Sequence, residues 1–155
     1  MSARVVVDLQ VATDNQHLPT LDALQAWTTA AIGNRRDSAE ISLRIVDLKE
    51  AADLNQQWRN KSGPTNVLSF PANLPPELSL PLLGDLVICA PVIEKEAKQQ
   101  DKELQAHWAH IIIHGTLHLL GYDHIDDQQA SEMESLEIKI MEILGFPDPY
   151  KDDGC

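Results

Sequence analysis

Apolar positions change their period several times along the chain, and each change marks an element. Val5 to Val11 reads as a strand, and Leu21, Leu24, Trp27 and Ala31 form a helical stripe that ends near Gly33. Ile41 to Val46 alternates as a second strand. Asp47 is set to cap the next helix with Glu50 three residues on, and Ala51, Leu54 and Trp58 supply its apolar face. Asn66 to Phe70 predicts a short third strand. Residues 71–81, with Pro71, Pro75, Pro76 and Pro81, predict a loop, and Leu83 to Ala90 a fourth strand. Pro91 suits the first turn of the helix that follows. A histidine-bearing helix comes next. The last helix runs from about Asp126 to Leu144, with Met133, Leu136, Ile140 and Leu144 inward and Gly145-Phe-Pro147 as its stop.

The order β-α-β-α-β-β-α-α-α predicts an α/β (α+β) fold: a four-stranded mixed sheet packed with about five helices. The first two strands are separated by a helix and so can lie parallel. Strand order is not encoded in this pattern. The 155 residues suit a single domain, with an acidic tail over about 146–155.

The helix before the last carries the most informative spacing, His114-Gly-Thr-Leu-His118-Leu-Leu-Gly-Tyr-Asp-His124. Residues four apart on a helix differ by only about 40° in direction, so His114 and His118 share a face one turn apart. Gly121 is placed to end the helix, and the returning chain lets His124 meet the other two. Three imidazoles on one zinc leave a fourth position open, the mark of a catalytic site. From Leu104 to Tyr122 the chain has no Asp, Glu, Lys or Arg, which predicts a central, buried helix. His107 and His110 fall on the same stripe but too far along the axis for the same ion. They are expected to be hydrogen-bonded core residues that line the cleft at most.

Charge narrows the partners. The net charge of −12 disfavours a general nucleic-acid surface, yet residues 1–121 hold 10 basic and 14 acidic side chains while 122–155 hold 2 and 10. The acid is therefore concentrated at the C-terminal end, and the remainder can form a small positive cleft. Cys89 and Cys155 have no metal or redox spacing. The N-terminal MSARVVVDLQ has too short an apolar run for a secretory signal, and the four imidazoles argue against a membrane span. A cytoplasmic protein with free thiols is the expectation.

The histidine spacing is also that of the metzincin peptidases, which carry Glu directly after the first histidine as general base. This chain has Gly115, which argues against peptide hydrolysis. Asp85, Asp123 and Asp126 are the candidates for supporting or proton-transfer roles, each with an ordinary cap or turn as the bland alternative. A second constellation, Trp58-Arg59-Asn-Lys61-Ser-Gly-Pro-Thr65-Asn66, puts two cations on a helix-to-strand connection. Arg59 can bind a phosphate through paired hydrogen bonds and Lys61 adds a point charge, though cations at a helix C-terminus also serve its dipole.

The histidine motif, with Pro64-Thr-Asn-Val-Leu-Ser-Phe70, Gly84-Asp-Leu-Val-Ile88 and Gly145-Phe-x-Asp-Pro-Tyr150, resembles the bacterial YbeY family of zinc-dependent endoribonucleases over nearly the whole chain. The resemblance implies zinc held by His114, His118 and His124, with Arg59 and His114 catalytic; the residues themselves place Arg59 and Lys61 on the substrate phosphate. It also implies single-strand-specific cleavage in maturation of the 3′ end of 16S ribosomal RNA, and ribosome quality control. The partners implied are ribosomal RNA, the ribosome or its small subunit, and a basic ribosomal protein or assembly GTPase. Two rivals are a non-catalytic, zinc-containing ribosome-assembly factor and a metallopeptidase.

Overall fold

The computed structural model describes residues 4–15, 17–33, 35–61, 63, 65–72, 82–122 and 126–150. Its elements are β1 (Arg4–Ala12), α1 (Leu21–Ile32), β2 (Ser38–Val46), α2 (Leu48–Arg59), β3 (Val67–Pro71), β4 (Leu82–Cys89), α3 (Ala90–Gln99), α4 (Leu104–Leu119) and α5 (Asp127–Ile143). The predicted order is therefore the observed one. Most of the predicted proline-rich loop, and the end of the acidic tail, lie outside the described residues.

The sheet order is β1-β2-β4-β3. β1 pairs with β2 and β2 with β4 in parallel, while β3 runs antiparallel to β4. Alternation along the strands gives the sheet two different faces. Ala39, Ile41, Leu43 and Ile45 of β2 join Leu86 and Ile88 of β4 in the main core, beneath α1, α4 and α5. Val46, Leu68, Val87 and Cys89 point the other way and form a smaller cluster with Ala51 of α2.

Helix α4 packs against α1, α3, α5, β3 and β4, which accounts for its lack of charged residues. Trp108, Ile112, Ile113 and Leu117 are fully buried on it. Gly115 faces the sheet. A Cβ there would lie 2.9 Å from Leu86 Cδ2 and 3.3 Å from Val67 Cγ2, so the helix approaches the strands more closely than any larger residue allows.

Two local expectations are corrected. Asp47 stands at the N-cap of α2, but its side chain makes no capping bond and instead accepts from the Thr13 hydroxyl. Glu50 does not close a capping box. It takes Arg44 of β2 in a two-pronged pair at 2.5 and 3.0 Å, because a charged fork outcompetes a backbone N–H. Trp58 was expected on the buried face of α2 with Ala51 and Leu54. It is 61% exposed, resting edge-on against Phe70 with ring centroids 6.1 Å apart.

Candidate metal centre

Helix α4 stops where its glycine predicts. Gly121 has φ of 107°, its N–H bonds to the His118 carbonyl at 3.0 Å, and the Tyr122 N–H reaches back to Leu117 at 3.0 Å. This pair of reversed bonds closes the helix end and turns the chain immediately after His118.

Within α4, His114 and His118 meet as their spacing predicts: their Nε2 atoms are 3.1 Å apart. The other side of the His114 ring is fixed from α5. Glu137 Oε1 lies 2.8 Å from His114 Nδ1, and a carboxylate accepts, so His114 carries its proton on Nδ1 and turns the Nε2 lone pair toward His118. Two ring nitrogens at 3.1 Å need a proton or a cation between them. Two ligands on one tetrahedral zinc, at about 2.0–2.1 Å each, stand about 3.3 Å apart. The donor set and its spacing fit a zinc ion.

Glu137 is the residue that sequence reading missed. It is fully buried, and it accepts from His110 Nε2 at 3.0 Å and from the Tyr150 hydroxyl at 2.6 Å as well as from His114. Burial by itself pushes this carboxyl up. The hydrogen bonds from His110, His114 and Tyr150 outweigh that and hold it at about 2. Burial, and then the bond to Glu137, push the Tyr150 hydroxyl up. The signal was present in the sequence: Glu137 is four residues after Met133 and three before Ile140, in the middle of the inward stripe of α5. A carboxylate there is costly unless it is paired.

His110, expected to be a bystander, belongs to the cluster through Glu137. His110, His114 and Glu137 bring three potential ligand atoms within 4.8 Å of one another, a group able to hold a metal ion. His107 lies apart, its Nε2 2.9 Å from Glu96 Oε1, and burial pushes its pKa down against that partner. It is the hydrogen-bonded core histidine that was expected.

The remaining candidates separate. His124 and Asp123 lie outside the described residues. Arg59 is the last residue of α2 and Lys61 follows two residues later, both exposed and, among the described residues, without a side-chain hydrogen bond or ion pair to the histidines. Asp85 does not support the histidines. It is exposed on β4 beside the buried Leu86, and strand alternation turns it to the α2 side of the sheet, away from α4. Asp126 caps α5, accepting from the Gln129 N–H at 2.8 Å.

The family model described as Endoribonuclease YbeY matches residues 10–145. This chain belongs to the YbeY endoribonuclease family. YbeY membership makes it a hydrolase whose substrate is RNA, and the histidine cluster is the candidate metal site of that activity. The fold is also that of the solution structure of TM1509 from Thermotoga maritima. That structure is 22% identical, with a TM-score of 0.59 over 95% of this chain and 99% of the other. Among the described residues no helix of this YbeY chain is long and apolar enough to cross a membrane.

Proposed function

We propose that the protein is a cytoplasmic, zinc-dependent endoribonuclease that cuts single-stranded ribosomal RNA. Its place is in maturation of the 3′ end of 16S ribosomal RNA and in quality control on the ribosome or small subunit. Contacts to a basic ribosomal protein or an assembly GTPase complete the picture. The observation that carries the reading is the 3.1 Å approach of His114 Nε2 to His118 Nε2, with Glu137 holding His114 in the ligating tautomer.

His114, His118 and His124 are assigned as the zinc ligands. Zinc there would supply a Lewis acid for a phosphoryl oxygen and would lower the pKa of a water to near neutrality, which would remove the need for the carboxylate that Gly115 replaces. Arg59 binds the scissile phosphate through its planar fork and stabilises charge on the non-bridging oxygens, and Lys61 adds to that field. Glu137 keeps His114 oriented. Its buried negative charge also favours a cation among the imidazoles.

A second reading seats the ion among His110, His114 and Glu137, supported by their mutual distances. The choice rests on Glu137, whose two oxygens already accept three hydrogen bonds. Metal analysis paired with a ribosomal RNA cleavage assay tests both readings. His118→Ala is expected to lose zinc and cleavage, and His110→Ala to retain zinc. Arg59→Ala is expected to keep zinc and cleave slowly. Retained zinc in His118→Ala favours the second set, and equal cleavage by Arg59→Ala removes the role given to that arginine. Zinc-loaded protein that leaves RNA intact on ribosomes supports the non-catalytic assembly factor.

A further inference from the structure

On the sheet face opposite α4 there is a cleft of about 600 Å³ between the strands and α2. Its lining includes Gln10, Ser42, Arg44, Trp58, Phe70 and Asp85. In the strand register Asp85 stands directly opposite Phe70 on one side and Ser42 on the other, so one row across the sheet carries a ring, a carboxylate and a hydroxyl. Trp58 overhangs this row from the end of α2, edge-on to Phe70.

Several features of the cleft have no use in the fold. Trp58 leaves 61% of its surface in water although α2 already anchors itself through Ala51 and Leu54. Among the described residues the Asp85 side chain has no hydrogen-bond or ion-pair partner. Arg44 is committed, with Glu50 on one side and Gln10 Oε1 at 3.0 Å on the other. The cleft is thus aromatic at its wall, with an unused acceptor at its base. Arg59 follows Trp58 directly and Lys61 stands two residues beyond it, both exposed, and two cations beside the aromatic wall attract a phosphate.

We propose that this cleft receives one unstacked nucleobase of the RNA strand, stacked on Trp58 and read by Asp85, while Arg59 holds a neighbouring phosphate. The carboxylate selects a base with two adjacent N–H donors, which in RNA is guanine, because paired donors match its two oxygens. A base in a duplex cannot enter, so the cleft gives a physical reason for preferring single strands. The inference rests on the reading of Arg59 as a phosphate contact.

The test uses zinc-loaded full-length protein and short single-stranded oligoribonucleotides that differ by guanine or adenine at one position. Trp58→Ala is expected to raise KM about tenfold with kcat little changed, and Trp58→Phe to recover most of the loss. Asp85→Asn is expected to abolish the guanine preference while retaining cleavage. Trp27 and Trp108 are buried, so acrylamide quenching of the native fluorescence reports on Trp58, and a single-stranded oligonucleotide is expected to protect it. Unchanged KM in Trp58→Ala, no guanine preference in the parent, or protection by oligolysine in place of RNA each overturns the proposal. Protection by RNA that persists in Arg59→Ala, with undiminished cleavage, defeats the phosphate reading and leaves the base cleft standing.

Discussion

Replacing Glu137 by Gln keeps its volume and removes its charge, which makes it a permanent copy of the protonated residue. The size of the effect follows by two routes. The folded carboxyl titrates at about 2 against an ordinary value of 4.5, and that gap corresponds to about 3 kcal/mol favouring the charged form. Independently, three bonds to a carboxylate become bonds to a neutral amide, each weaker by about 1 kcal/mol. Both give a deficit of about 3 kcal/mol at neutral pH. Because the folded pKa lies below the unfolded one, the wild-type advantage is complete above pH 4.5 and disappears as pH falls through about 2. Urea unfolding of both proteins in chelator, from pH 7 downward, measures this directly. The curves should stand apart at pH 7 and converge below pH 4.5. A gap that persists into acid, or none at pH 7, refutes the claim that the charge of Glu137 anchors the cluster. The same variant should bind zinc about 10–100-fold more weakly in a chelator competition, since His114 loses its fixed tautomer.

Other consequences are simpler to check. Gly115→Ala forces a methyl to within 2.9 Å of Leu86 and should destabilise the fold by about 1–3 kcal/mol in urea, with the histidine ligands chemically intact. Tyr150→Phe removes one of the three donors to Glu137, so its zinc affinity should fall less than that of Glu137→Gln. Binding of naked single-stranded RNA should be weak and should drop steeply with added salt, because a chain of net charge −12 depends on a few cations for phosphate contact. Filter binding across a salt series gives the slope, and a flat slope contradicts it.

Much of the candidate site is written in local spacing. His114 and His118 share a face through the helical repeat alone, and Gly121 ends the helix because its backbone takes φ of 107°. The uncharged run from Leu104 to Tyr122 announced a buried helix for the same reason: one helix surface must match its surroundings all round. Asp47 and Glu50 show the limit of such reasoning. Their spacing matches a capping box, but Arg44 on a neighbouring strand offered Glu50 a stronger partner.

The sequence by itself determined which elements form, their order, and that His114 and His118 share one face, since these depend on backbone geometry within a few residues. Only tertiary structure decided that α5 delivers Glu137 to His110 and His114, and that β4 inserts between β2 and β3. It also decided that Asp85 and Trp58 belong to the face away from the histidines. Those outcomes depend on which surfaces meet across long stretches of chain, and periodicity shows that a face is apolar without saying what will cover it.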